Sequence, residues 1–159
     1  MTRYEEGIQQ IEVSCGGGKD NVIAVATIAI EPACDGKPYP CVREVDAFYE
    51  DGVFYITTTA SSNKVLQAVN NNHAAFSVSS EGITGSAVAE NLGWVLEPRN
   101  AAIRDKLRKA FSGWYDHANN EQDKDCAILA LRITKAFVFK DHGAVRYILD
   151  LENKTEIIE

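Results

Sequence analysis

The feature that most constrains the fold is a series of β-rich runs separated by short turns that end in glycine. The turns "EDG", "EG" and "DHG" each join runs rich in valine, isoleucine, threonine and aromatic residues. An acidic or polar residue followed by glycine between such runs is a good marker of an antiparallel hairpin. The chain is therefore predicted to be mainly β, with mostly antiparallel strands that form a small barrel or sandwich.

The pattern of apolar residues predicts where the elements lie. Strands are expected at residues 22–31, 41–49, 53–58, 74–80, 83–97, 126–140 and 144–151, the fifth being bent around Gly85 and Gly93. Helices are expected at residues 4–12, at residues 62–70 with Val65, Leu66 and Val69 on one face, and from Pro98 to about Gly113.

Length and charge narrow the possible functions. A chain of 159 residues is predicted to form one domain, with an N-terminal helix and a glycine-rich turn in residues 1–20. Sixteen basic and 23 acidic residues give a net charge of −7, which disfavours nucleic acid as a partner. No apolar run is long enough to cross a membrane, and the N-terminus does not resemble a signal peptide. A cytoplasmic protein without a membrane partner is expected.

The cysteines and histidines do not form a metal-binding motif. Four cysteines and three histidines are present, and none has the close spacing that brings metal ligands together on one turn or helix face. Scattered free thiols are the expectation for a cytosolic chain. No metal site is predicted.

Polar side chains concentrate where the third predicted strand turns into the second predicted helix. Residues 57–64 include five hydroxyl side chains, one amide and Lys64. A helix N-terminus offers unpaired N–H groups and a partial positive charge, and Arg43 on the preceding strand reaches the same corner if the two strands pair. This set favours a phosphomonoester over a carboxylate. The alternative is an ordinary loop in which Ser61 or Ser62 only caps the helix.

The same residues resemble the FMN-binding split-barrel family, which includes pyridoxamine 5′-phosphate oxidase. The resemblance rests on "PYPCVREV", "YEDG", "VFYITT" and "SSNKVLQAVNNNHAAFSV". In that series an arginine on the second strand precedes Y-x-T on the third and S-x-K at the start of a helix. The segment "NNH" stands where the family often has N-N-P. Later segments, "GWVLEP" and "ILALRITKAFVF", extend the resemblance over residues 21–151.

The resemblance implies a fold and a cofactor. It implies a split β-barrel of about six antiparallel strands that binds FMN, with the FMN phosphate held by Arg43, Thr57 or Thr58, Ser62 and Lys64. Because alternate residues of a strand face opposite sides, the sequence leaves open which threonine faces the phosphate.

The resemblance also implies a homodimer with a flavin at each subunit interface. The apolar face of the third helix, Trp94 and Trp114 would contribute to that interface if they are not part of the core.

The implied activity is that of a flavin-dependent oxidoreductase acting on an unidentified small molecule. The chain ends in "DLENKTEIIE" and lacks the arginine-rich R-L-x-P segment that holds pyridoxal phosphate in the oxidase, so pyridoxamine phosphate is not the expected substrate. No catalytic residue stands out. One alternative is a non-catalytic flavin, deazaflavin or haem carrier, in which haem would need His73, His117 or His142 as its axial ligand. Another is a structural dimer without a cofactor.

Overall fold

The structure is a computed structural model that describes residues 1–158. The strands are β1 Asn21–Ile28, β2 Pro40–Glu50, β3 Val53–Thr59, β4 His73–Val78, β5 Ile83–Trp94, β6 Cys126–Lys140, β7 Val145–Asp150 and β8 Thr155–Glu156. The α-helices are α1 Arg3–Cys15, α2 Asn63–Asn70, α3 Ala101–Ala110 and α4 Tyr115–Ala118. Short 3-10 turns occur at Ser79–Glu81, Pro98–Asn100 and Asp141–Gly143.

Six of the strands close into an antiparallel barrel. The sheet runs in the order β3-β2-β1-β4-β5-β6, and β6 pairs back with β3 to complete the barrel, while β7 and β8 extend the sheet beyond β6. Closure gathers the inward-facing side chains of the six strands around one core. The fold is therefore mainly β and has the split-barrel form expected from the sequence.

The strand β3 pairs unequally with its two neighbours in the barrel. On one side, β3 pairs with β6 along its whole length, from Val53 opposite Arg132 to Thr59 opposite Cys126. On the other side, within residues 1–158, β3 pairs with β2 only at the three positions from Phe48–Tyr55 to Glu50–Val53. Beyond Phe48 the two strands separate. We call this opening the β2–β3 gap; it is bounded by residues 40–47 of β2 and 56–59 of β3.

Two hydrophobic clusters stabilise this arrangement. The first fills the barrel with the inward side chains of the strands, and α1 and α2 add the buried residues Ile11 and Val65 to it. The second lies outside the barrel, where Leu107 and Phe111 pack with Phe48 and Ile128. Burial of such apolar side chains contributes about 1.5–3 kcal/mol each. The apolar face of the third helix is thus core, and Trp94 and Trp114 pack against the same cluster.

All seven predicted strands are present in the predicted order, and the β5 register irregularities fall beside the predicted glycines. The β5–β6 register shifts next to Gly85 and Gly93. A Cβ atom at Gly85 would lie 2.1 Å from the carbonyl oxygen of Lys135, so this position requires glycine. The sequence reading missed α4 and β8, and it extended β5 past Trp94, where a turn from Trp94 to Glu97 ends the strand.

The predicted face of α2 is wrong. Leu66 is 45% exposed and Val69 67% exposed, while the buried side of the helix carries Val65, Gln67 and Ala68. The helix has this orientation because the Gln67 side chain forms hydrogen bonds with Thr27 on β1 and Arg43 on β2. In residues 1–158, no helix combines the length and the apolar character that a membrane span needs.

Candidate functional site

Three of the predicted site residues meet where β3 turns into α2. The Lys64 ammonium donates hydrogen bonds to Thr58 Oγ1 at 2.8 Å and to Ser62 Oγ at 3.4 Å. Ser62 occupies the N-cap position, yet its side chain makes no capping hydrogen bond. Its hydroxyl, the ammonium and the Thr58 hydroxyl therefore form a polar cluster at the positive end of α2.

Arg43 approaches this cluster from β2, on the far side of the gap. Its guanidinium donates to Thr27 Oγ1 at 2.7 Å and to Gln67 Oε1 at 3.0 Å. The Thr27 hydroxyl also lies 2.6 Å from Gln67 Oε1. Neutral groups on β1 and α2 thus fix the orientation of the guanidinium and leave its charge unneutralised. We call Arg43, Thr58, Ser62 and Lys64 the cationic corner.

The two charges of the corner repel each other. Within residues 1–158, neither Arg43 nor Lys64 forms an ion pair with a carboxylate. Burial, followed by the positive charge of Arg43, lowers the pKa of Lys64 below its usual range. An anion in the corner would relieve both effects, because it would pair with the ammonium and offset the repulsion between the cations.

The structure separates the two threonines that the sequence could not distinguish. Thr58 is on the same side of β3 as the buried Phe54 and Ile56, and it contacts Lys64. Thr57 points to the other side, where its buried hydroxyl has no hydrogen-bond partner. It lines a cavity of about 310 Å³ together with Trp114, Asn119 and other residues of the α4–β6 segment. Thr58 contacts Lys64 in the corner and also lines this cavity, whereas Thr57 lines the cavity without contacting Lys64.

Thr27 and Gln67 are the site residues that the sequence reading missed. Each carried a weak signal. Thr27 is a hydroxyl residue in the otherwise apolar run "VIAVATIAI", and Gln67 follows Lys64 by three positions, which places both on one side of α2. A polar side chain among buried apolar neighbours needs a partner, and the partner of both is Arg43.

Other chemistry is sparse around the corner. All three histidines are exposed, and among residues 1–158 no group of three or more His, Cys, Asp or Glu side chains is arranged to hold a metal ion. Cys41 places its thiol 3.7 Å from Gln67 Nε2. A larger cavity of about 630 Å³ lies far from the corner, beside β7 and β8, and its Arg3 already pairs with Glu156 at 3.0 Å.

Comparison with solved structures identifies the fold. The chain has the fold of the FMN-binding split-barrel proteins, as its sequence motifs implied. It is similar to general stress protein 26 from Bacillus anthracis, with 14% identity, a TM-score of 0.63, and coverage of 90% of this chain and 97% of that one. It is also similar to a protein from Clostridium acetobutylicum that is related to general stress protein 26 and assigned to the pyridoxinephosphate oxidase family. Here the identity is 16%, the TM-score 0.60, and the coverage 96% of each chain.

A third similar structure is a haem-binding protein from Mycobacterium smegmatis. The identity is 16%, the TM-score 0.63, and the match covers 97% of this chain and 60% of that one, so the present chain spans about three fifths of it. No family model and no curated protein matches the sequence. At these identities the similarity defines the fold alone.

Proposed function

We propose that the protein binds FMN and that the cationic corner holds the FMN phosphate. The observation that carries this proposal is the pair Arg43 and Lys64, two partly buried cations that face each other without a carboxylate. A phosphomonoester dianion would neutralise both charges, whereas a carboxylate would neutralise only one. The hydroxyls of Thr58 and Ser62 supply further donors at the start of α2.

The rest of the ligand would extend from the corner along the β2–β3 gap. Along the gap the two strands do not pair with each other, so a planar heterocycle could lie between their edges. The unpartnered Thr57 hydroxyl and the Trp114 ring line the adjacent cavity. These residues would orient the ligand and exclude water from one side of it.

We further propose that the protein is a flavin-dependent oxidoreductase whose substrate is a small molecule. FMN supplies the electron-transfer chemistry when it is bound, so the chain needs to provide binding, orientation and electrostatics and does not need its own catalytic acid–base pair. A homodimer would complete the site, because the gap and its adjacent cavity are open to the outside of the barrel in a single chain.

A non-catalytic carrier for flavin, deazaflavin or haem is the second candidate. The similarity to a haem-binding protein of the same fold supports this candidate. The corner favours a phosphorylated ligand over haem, because the histidines that would ligate the haem iron are exposed and the cations lie elsewhere. Reduction of bound flavin by a nicotinamide donor, followed by reoxidation by an acceptor, would distinguish the enzyme from the carrier.

The test is a titration of each variant with FMN, in which flavin fluorescence measures binding. Lys64→Ala and Arg43→Ala should each weaken binding about ten- to a hundredfold, because a charge-assisted contact contributes about 1.5–3 kcal/mol. Lys109→Ala, which removes an exposed lysine from α3, is the matched control and should leave the affinity unchanged. Unchanged binding in both corner variants would refute the site.

A further inference from the structure

A cavity of about 350 Å³ lies between α1 and the turn that joins β2 to β3. We call it the α1 cavity, after the helix whose Ile8 and Glu12 line it. Its wall includes Gly52, which comes directly before β3, whereas the cationic corner lies at the other end of that strand. Small-molecule sites enclose about 300–1,000 Å³, so the α1 cavity is large enough for one small ligand.

A buried hydroxyl group without a partner belongs to the wall of the α1 cavity. Tyr49 lines the cavity and is 2% exposed, and among the described residues its hydroxyl has no hydrogen-bond partner. The hydroxyl lies close enough to the Glu12 carboxyl to affect its ionisation, but the two groups do not have hydrogen-bond geometry. Buried polar groups normally have partners, so a ligand that bonds to this hydroxyl would satisfy it.

Two carboxyl groups of the α1 cavity lack a cation. Glu12 is on α1 and Asp51 is in the β2–β3 turn. In the described part of the chain, no basic side chain forms an ion pair with either of them. Burial raises the pKa of Glu12, and the negative charges of Asp51 and Glu50 contribute to the rise. A cationic group in the cavity would offset this repulsion.

Two basic side chains line the same cavity and do not pair with these carboxyls. A guanidinium nitrogen of Arg132 on β6 lies 4.0 Å from a carboxylate oxygen of Glu152, and both side chains are more than half exposed, so this contact is weak. Lys154, between β7 and β8, forms no ion pair with any residue that the structure describes. One small cavity therefore carries both signs of charge without internal neutralisation.

The rest of the wall is apolar. Tyr4, Ile8 and Leu151 are partly buried and pack against the barrel core, to which Ile133 belongs. An aliphatic or aromatic group of a ligand would lose its contact with water against this surface.

We propose that the α1 cavity binds a free α-amino acid with an apolar side chain. The ammonium group pairs with Glu12 and Asp51 and donates a hydrogen bond to the Tyr49 oxygen. The carboxylate pairs with Arg132 and Lys154, and the side chain packs against the apolar wall. A simple amine would leave the two cations without a partner, and a simple acid would leave the two carboxyls without one. This site is separate from the cationic corner and does not depend on FMN binding.

The first test is an NMR titration of the isotope-labelled chain with free leucine and free phenylalanine up to about 10 mM, which detects millimolar dissociation constants. The backbone amide signals of Ile8, Gly52 and Leu151 should shift, because these residues line the α1 cavity. The signals of Thr58 and Lys64 should not move. An absence of shifts with both amino acids, or shifts confined to the corner, would overturn the proposal.

The second test asks whether both charged groups of the ligand are recognised. Leucine amide lacks the carboxylate, and N-acetylleucine lacks the ammonium group. Each should bind at least about tenfold more weakly than leucine, because each leaves one pair of charged side chains unpaired. Equal affinity for leucine and either derivative would contradict recognition of a zwitterion.

The third test uses two conservative variants. Glu12→Gln should weaken leucine binding about tenfold or more, whereas the control Glu44→Gln, which neutralises an exposed carboxylate on β2, should not. Tyr49→Phe removes a hydroxyl that has no partner in the ligand-free chain. It should therefore keep or raise the urea unfolding midpoint and still lower the affinity for leucine about threefold. Unchanged affinity in both Glu12→Gln and Tyr49→Phe would overturn the site.

Discussion

The Gln67 side-chain oxygen accepts a 3.0 Å hydrogen bond from the Arg43 guanidinium and thereby ties α2 to β2. Gln67 lies one helical turn after Lys64, so the same short helix positions both cations of the corner. An amide can hold an arginine in place without neutralising it. The choice of glutamine at this position therefore preserves a net positive charge for an anionic ligand.

Gln67→Glu should weaken FMN binding while keeping the geometry of the corner. The new carboxylate would pair with Arg43 and compete with the phosphate, and we expect an affinity loss of about tenfold or more. The folding stability should be unchanged or higher. Fluorescence titration measures the affinity, and Gln122→Glu on the exposed loop before β6 is the control for added charge. Equal affinity in both variants would argue against a phosphate beside Arg43.

The two threonines should respond differently to replacement by valine. Thr58→Val removes a hydroxyl that accepts from Lys64, and inorganic phosphate should compete about tenfold less well for the corner. Thr57→Val removes a buried hydroxyl without a partner, so the free energy of unfolding should rise by up to about 1 kcal/mol and phosphate binding should persist. Competition assays and urea unfolding measure these effects. A loss of phosphate binding in Thr57→Val alone would reverse the assignment.

The four thiols should react in an order set by burial. Cys34 is exposed and should react with a disulfide reagent within the first phase, followed by the half-buried Cys41. Burial raises the pKa of Cys15 to about 11, so this thiol should react only when the chain unfolds. Cys126 is also buried and should be protected. Time-resolved labelling and peptide mass spectrometry measure the order, and rapid labelling of Cys15 in the folded protein would contradict the packing of α1.

FMN should protect Cys41 from the same reagent. The thiol lies beside Gln67, next to the corner, whereas Cys34 is on the exposed connection between β1 and β2. The labelling rate of Cys34 is therefore the internal control. Equal rates at Cys41 with and without saturating FMN would place the ligand elsewhere.

The pH dependence of the folding stability should reflect the ionisation of Asp46. Its pKa is raised in the folded chain, so the folded state retains the proton more tightly than the unfolded state. This contribution is complete below the unfolded pKa and is lost as the pH rises through the folded pKa. Asp46→Asn should therefore be more stable than the unaltered chain at neutral pH, and the difference should shrink under acidic conditions. Urea unfolding at two pH values tests this, and a pH-independent difference would contradict it.

Three hairpins could be predicted from local patterns, because their connections are short. The acid–glycine turns and the alternating strands define the β2–β3, β4–β5 and β6–β7 pairs, whereas the pairing of β1 with β4 does not follow from them. Closure of β3 onto β6 joins residues about 70 positions apart in the sequence, and only the family resemblance pointed to it. The orientation of α2 was misjudged, because an apolar count favours Leu66 and Val69, whereas the buried hydrogen bonds of Gln67 decide the rotation of the helix.

Some residues of the site could be predicted from the sequence. Lys64 and Ser62 lie two positions apart at a strand-to-helix turn, so local spacing was enough to place them together. Thr27 could not be assigned, because its role depends on a contact with Arg43, which lies 16 positions away in the chain. Period-two alternation showed that Thr57 and Thr58 face opposite sides, but it could not say which side was the corner.

The most direct measurement is the visible absorption spectrum of the protein after addition of FMN and removal of the excess by gel filtration. We expect flavin bands that stay with the protein in about one equivalent per chain, and that are lost in Lys64→Ala. A colourless protein in both cases would contradict the proposal and would leave the cationic corner as an unliganded turn between β3 and α2.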